Sequence, residues 1–303
     1  MIEEALKHYN FKHPEAVFIR HNENMTYGIT DGDSKYLLRI HKAAEGLDFS
    51  LSYGETPRQV LIESEVDLLI RLHSFNGIKT QIPMKNIAGS VVTHLDNGDL
   101  VTMLSWIDGS DLVNSTITEE LVYQIGQMIR NLHNATTQIS NVKRCYYDEV
   151  YIDKMVNEIS KAYGQNHIEI RSYELIKNVL IHSRRILMKE KQNFLLIHSD
   201  LSKSNIICDN GNLSPIDFSL SGYGIPEMDL GNIIGSLHKD EYIPSLIAGY
   251  ESTGNRTINT SYINAFIALS VIGYIVIHHN NVYNDDKFVN AMGRWCDTLF
   301  VLK

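Results

Sequence analysis

Residues 194–219 read FLLIHSDLSKSNIICDNGNLSPIDFS, and this stretch constrains the chain more than any other. Its four apolar residues, 194–197, predict a short buried strand. The strand delivers His198, Asp200 and Asn205 in the spacing H-x-D-x-x-x-x-N. Asn210-Gly211, inside the turn at 209–212, is a strong hairpin signal. It predicts paired strands over 206–208 and 213–216, which fold Asp217 back beside Asn205 and Asp200. Two carboxylates and one amide then share a pocket, all of them oxygen donors.

A hard divalent cation such as Mg²⁺ takes such oxygens and keeps room for phosphates. Phosphoryl transfer uses that cation to neutralise charge, and a carboxylate to orient and deprotonate the attacking hydroxyl. Asn205 and Asp217 suit the cation, and Asp200 suits the base. The two motifs, HSDLSKSN and then IDFS, resemble the catalytic and metal loops of the protein-kinase-like fold. They look most like the aminoglycoside phosphotransferase and choline kinase family. Ser199 stands where protein kinases carry Arg, and Ser219 where they carry Gly.

The resemblance implies an α+β, two-lobed architecture. Residues 1–104 would form an N-terminal nucleotide-binding lobe, a five-stranded antiparallel sheet plus a helix. Residues 105–303 would form a mainly helical catalytic and substrate-binding lobe. The implied activity is Mg²⁺-dependent transfer of the γ-phosphoryl group of ATP or GTP to a small-molecule hydroxyl. Aminoglycosides, choline or ethanolamine, homoserine and sugars are all acceptors on this scaffold. The resemblance also implies that His198 supports the loop and that Asp229 caps its backbone amides. Ser202 or Lys203 would lie near the transferred phosphate. Two other readings compete: a kinase-shaped binding module without turnover, and a metal-dependent phosphohydrolase ligating through His198, Asp200 and Asp217. The filled base and cation positions count against the first.

Patterning in the first hundred residues fits the N-terminal lobe. A short helix spans 1–9, with Ile2, Ala5 and Leu6 on one side. Strands are predicted at 16–20, 25–30, 36–40, 89–95 and 100–105, the last two around Asp96-Asn97-Gly98. Thr56-Pro57-Arg58-Gln59 reads as a capping box opening a helix to about His73. Leu61, Leu68, Leu69 and Leu72 make its apolar face, and Glu65 falls inside that arc. A carboxylate on a buried face needs a partner. Arg39 is the candidate, because a guanidinium fork can hold a carboxylate and a phosphate together. The resemblance implies the same pair gripping the nucleotide phosphates, with Lys more usual at the strand position. It implies further that the hairpin at 22–27 covers the nucleotide with backbone amides. The adenine would sit at a hinge near 103–109, walled by Met103, Leu104, Trp106, Leu37, Ile207 and Ile216.

The rest of the chain reads as helices. Thr118 caps a stripe of Leu121, Ile125, Met128, Ile129 and Leu132 that ends at His133, a capping or surface residue. Helices over 149–162 and 170–189 form the block where the family recognises its acceptor, and carry Asp153, Glu158, Glu169 and Glu174. Pro226 opens another helix. The last two, 261–279 and 286–301, bury Phe266, Val271, Ile275, Phe288, Trp295 and Phe300. His278-His279 is not a metal pair, because adjacent helical residues point apart.

With 27 basic and 36 acidic residues, the net charge is −9. That argues against a nucleic-acid partner, which demands a basic surface, and suits a cationic substrate. Cys145, Cys208 and Cys296 lie far apart with no metal spacing, which predicts a reducing, cytoplasmic setting. The N-terminus, MIEEALKHYN, is acidic and amphipathic and unlike a signal peptide. The most apolar run, 265–277, is too short to span a bilayer and predicts a buried helix and no membrane partner. Nothing in the sequence sets an oligomeric state.

Overall fold

The computed structural model describes residues 1–278. The predicted helix over 286–301, with Phe288, Trp295 and Phe300, lies outside the described residues, as does His279.

The N-terminal lobe opens with α1 (Ile2–Lys7) and a meander of β1 (Glu15–His21), β2 (Met25–Asp31) and β3 (Ser34–Ile40). Then come α2 (Ser50–Tyr53), α3 (Arg58–His73), β4 (Thr93–His94) and β5 (Leu100–Ser105). The sheet is antiparallel in the order β1-β2-β3-β5-β4. Strand alternation divides its side chains between two cores. Leu38, Ile40, Val101 and Met103 pack outward against Ala5 and Tyr9. Leu37 and Leu104 pack inward with Leu68, Leu69 and Leu72 of α3. The inner cluster also takes Leu132, Leu196 and Phe218, so one apolar core joins sheet, α3 and the second lobe.

Two local expectations change. The strand predicted from 89 survives only as Thr93–His94. Asn86 folds the preceding residues into a turn, its Oδ1 accepting from the amides of Ala88 and Ser90, with Gly89 at φ +82°. The Thr56 capping box does not form. Pro57 is the N-cap with no side-chain cap bond, and Gln59 Nε2 donates to Glu63 instead. Burial of the leucine face, rather than a cap, holds α3 in place.

The C-terminal lobe starts with a short strand where a helix was expected. Gly109, at φ +115°, turns the chain from β5 into β6 (Ser110–Asp111). A Cβ at Gly109 would lie 2.4 Å from the Cys208 carbonyl oxygen, so only glycine fits this crossing. Next come α4 (Glu119–Thr136), α5 (Glu149–Gly164) and α6 (Ile170–Lys189). Thr118 Oγ1 accepts from Leu121 N as the cap of α4. Then follow β7 (Leu195–Ile197), β8 (Ile206–Asp209), β9 (Asn212–Pro215), β10 (Gly222–Gly224), α7 (Pro226–Leu237), α8 (Ile243–Glu251) and α9 (Ile263–His278). Strand β8 pairs with β6 and β9, and β10 pairs with β7.

Helices α4 and α8 cross in backbone contact. A Cβ on Gly249 would lie 1.9 Å from the Tyr123 carbonyl oxygen, which cannot swing away as a side chain would. Gly249→Ala should therefore destabilise the protein by about 1–3 kcal/mol, as overpacking does. Thermal unfolding of the variant measures this, and an unchanged midpoint would contradict the crossing.

Helix α9 and the turn before it, Thr260–His278, are long and apolar enough to cross a membrane by length and composition, longer than the sequence suggested. Half of that stretch is buried within the protein, with Ile263 and Ile267 in one core and Phe266, Ile272 and Ile275 in another.

Candidate active site

Strand β7 is fully buried and leads directly into His198. The next residue, Ser199, has φ +66°, a conformation that needs external support in a residue with a Cβ. Asp229, in the first turn of α7, supplies it. Its carboxylate accepts from His198 N at 2.9 Å and from Ser199 N at 2.7 Å, while Asn232 Nδ2 donates to Ser199 O. Burial works against the charge on Asp229, but His133 holds its carboxyl below the usual range. His133 is thus neither a cap nor a surface residue. It is buried in the last turn of α4, with Nε2 on Asp229 and Nδ1 on the Tyr250 hydroxyl, both at 2.9 Å. His198 has both ring nitrogens engaged. Nε2 donates to Ile216 O at 2.9 Å, and Nδ1 accepts from Asp200 N at 3.3 Å. Burial holds its pKa below the ordinary histidine value, consistent with that neutral tautomer.

The loop thus fixed presents Asp200. Asn205 Nδ2 donates to both Asp200 Oδ2 and Asp200 O at 2.8 Å. The other end of the same amide, Asn205 Oδ1, is buried and has no hydrogen-bond partner. Asn210 (φ +49°) and Gly211 (φ +84°) then make the tight turn that Asn-Gly favours. Ile206 pairs with Pro215 and Ile207 with Ser214, and Ile216 N donates to Asn205 O. This returns the chain at Asp217, itself at φ +65°.

Asp217 meets the sheet. Arg39 Nη1 lies 3.3 Å from its Oδ1, and Arg39 Nη2 lies 2.7 Å from Glu65 Oε1. Arg39 and Glu65 are 3% and 2% exposed, so the pair is a buried one. Arg144, which the sequence did not single out, donates to the carbonyls of Phe218 and Ser219 and supports the loop after Asp217. Glu23, in the β1–β2 turn, is buried as well. It accepts from the Ser219 hydroxyl and, at 2.5 Å, from Tyr53 Oη. Burial and the nearby Asp217 charge push its pKa up. Burial opposes the charge on Asp217 too, but Arg39 and then Arg20 hold that carboxyl below its usual range. Asp200 goes the other way. Burial, the Asp217 charge and the Glu23 charge raise it to about 8.

Among the described residues no three His, Cys, Asp or Glu side chains cluster as a metal site by themselves. The set brought together here is different: the Asp200 and Asp217 carboxylates and the orphaned Asn205 amide oxygen. A buried acceptor with no donor is what a hard cation would satisfy, so these residues fit Mg²⁺, held by Asn205 and Asp217.

The expected adenine walls divide. Leu37 and Leu104 are paired and face inward, and Ile207 points away from the core residue Ile206 and is half-buried beside Gly109. Ile216 is half-buried. Trp106, 37% exposed, and Ile19 both approach Gly28, which pairs with Leu37. Met103 is not one of these walls. It faces the outer core with Ala5 and Leu38, because its neighbour Leu104 takes the inward position and alternation forbids both. Ser202 shares a hydrogen bond with Ser204, and Lys203 N donates to Ser236 Oγ. In the helical block Asp153 pairs with Arg184 and Glu158 with Lys161, both at the surface.

The family model described as choline/ethanolamine kinase matches residues 58–281. The amicoumacin kinase of Bacillus subtilis (strain 168) is 22% identical over 228 residues, covering 74% of this chain and 63% of that protein. The chain spans less than two thirds of the length of the curated relatives it matches. A microcompartment-associated aminopropanol kinase superposes with a TM-score of 0.79 at 18% identity, covering 98% of this chain and 95% of the other. An amicoumacin kinase in complex with AMP-PNP and Ca²⁺ superposes with a TM-score of 0.76 at 17% identity, covering 98% and 91%. The two-lobed fold is that of the protein-kinase-like enzymes, and the chain belongs to the choline/ethanolamine kinase family.

Proposed function

We propose that this protein is a small-molecule O-phosphotransferase that moves the γ-phosphoryl group of ATP or GTP to an alcohol. The observation that carries this is the buried, unpartnered Asn205 Oδ1 beside Asp200 and Asp217. Mg²⁺ held there would neutralise charge on the phosphates. Asp200 orients the acceptor hydroxyl and takes its proton. Its own orientation is fixed by Asn205 Nδ2. Arg39, locked by Glu65, offers a guanidinium to the phosphates. His198 serves as a support, since both ring nitrogens are spent on the loop. That also argues against a phosphohydrolase with His198 as a metal ligand.

For the acceptor we propose an amino alcohol. Ethanolamine names the matching family, and hydroxylysine names the kinase of Xenopus laevis that is 21% identical over 251 residues. Both carry an amine and a hydroxyl. A net charge of −9 favours approach of such a cation. A coupled ADP-release screen over amino alcohols, hydroxylated amino acids, aminoglycosides and sugars tests this. Acceptor-dependent, Mg²⁺-dependent ADP release is expected with an amino alcohol. No thermal shift with Mg·ATP and no release with any acceptor would contradict the reading.

A pH dependence follows from Asp200. A cation beside it favours the ionised carboxylate, whose pKa is raised to about 8 by burial, Asp217 and Glu23. Below that value cation binding must expel a proton. Divalent-cation affinity should thus rise with pH, by at most about tenfold per unit for one linked proton, and level off above it. Mn²⁺ titration between pH 6 and 9 measures this, and a flat profile would contradict it.

A further inference from the structure

The sheet carries a second guanidinium aimed at Asp217. Arg20, on the edge strand β1, donates from Nη2 to Asp217 Oδ2 at 2.9 Å. It arrives there through an irregularity in the strand. From Glu15↔Thr30 to Phe18↔Tyr27 the register is regular, and then Arg20 pairs with Thr26. The unbroken register would pair Arg20 with Met25, whose side chain packs into the outer core. The extra residue, Ile19, is a β-bulge. It flips Arg20 from the outer face to the inner face, into one transverse row with Thr26 and Arg39. Bulges beside functional sites re-aim side chains in this way.

Two guanidinium groups therefore bracket one carboxylate, and they are anchored differently. Arg39 is 3% exposed and tied to Glu65. Arg20 is 36% exposed, and among the described residues its one ion pair is Asp217. A carboxylate oxygen accepting from a guanidinium and one ligating a hard divalent cation are alternative states of Asp217 Oδ2. Like charge makes the cation and Arg20 poor neighbours there, and Arg20 is the group free to leave. It sits on the strand leading into the hairpin that would cover the phosphates.

We propose that Arg20 is a nucleotide-binding residue that alternates between two anions, Asp217 and the triphosphate, and that the divalent cation drives the exchange. This rests on the phosphotransferase reading above. A cation taking Asp217 frees the guanidinium, which then donates to phosphate oxygens across the cleft from Arg39. Arginine suits such a role because its fork stays charged and matches phosphate geometry.

The exchange predicts effects of opposite sign in Arg20→Ala. Without nucleotide, Mn²⁺ should bind more tightly, because its competitor for Asp217 is gone. With nucleotide, Mg·AMP-PNP should bind more weakly, by about tenfold for a lost charge-assisted contact. Arg20→Lys should recover part of the nucleotide affinity. Mn²⁺ titration by electron paramagnetic resonance and calorimetry with Mg·AMP-PNP give the two readouts, neither requiring turnover. Loss of both affinities, no change in both, or tighter Mn²⁺ with unchanged nucleotide binding would overturn the proposal. Wild-type protein binding no Mg·AMP-PNP would instead overturn the phosphotransferase reading, and this inference with it.

Discussion

Asp200→Asn is expected to lower kcat by about 10²–10⁴-fold, the range seen when a general base is removed. The substitution is chosen because it preserves what the rest of the loop uses. Asn205 Nδ2 donates to Asp200 Oδ2, and an asparagine oxygen can still accept there. Asp200 N still donates to His198 Nδ1, and the Asp229 contacts to the loop amides do not involve the changed side chain. What disappears is the proton acceptor and one negative charge. Mg·AMP-PNP affinity should fall by no more than about tenfold, for the charge lost beside the cation, so that the larger loss appears in kcat. Coupled ADP release with a saturating amino alcohol, beside Mg·AMP-PNP calorimetry, separates the two. A variant that turns over as fast as the parent would place the base elsewhere.

The second large effect is on stability. Glu65→Ala leaves the Arg39 guanidinium buried with its main partner gone. Breaking a buried ion pair from one side typically costs about 3–5 kcal/mol. Arg39 keeps Asp217 Oδ1 at 3.3 Å, which places the expectation toward the lower end. For a chain of this size 3–5 kcal/mol is a fall in Tm of roughly 5–8 °C. Glu65→Gln retains a hydrogen-bond acceptor and should lose less. The alanine variant should also bind Mg·nucleotide more weakly, because a released Arg39 is drawn onto Asp217 and competes with the cation. Thermal unfolding with and without Mg·AMP-PNP measures both. A Tm within about 2 °C of the parent would contradict a stabilising role for the pair.

The parts of this site that the sequence made legible are those set by local chemistry. Asn210-Gly211 specifies its own turn, and the turn alone carries Asp217 back toward Asn205. Glu65 stands out because a carboxylate on a leucine face breaks the helical pattern and demands a cation. Other features depend on partners remote in the chain. His133 reads as a capping or surface residue because Tyr250 and Asp229, which hold it, lie on α8 and α7. Arg144 and Glu23 act on a loop 75 and 196 residues away through hydrogen bonds that no spacing encodes. Met103 was misplaced because β5 is buried on both faces. When both faces are apolar, alternation cannot say which one looks into the cleft. Arg20 was invisible for a related reason. Parity along β1 puts it outside, and only the bulge at Ile19 reverses that.

The proposed phosphoryl transfer needs a shared cation position between the hairpin and the sheet. The most direct measurement is anomalous scattering from crystals of the complex with Mn²⁺ and AMP-PNP. The prediction is a manganese peak bound by Asn205 Oδ1 and the Asp217 carboxylate at metal–oxygen distances of about 2.1 Å, with the γ-phosphate facing Asp200. A peak remote from Asn205, or an Asn205 amide turned away from a bound nucleotide, would contradict it.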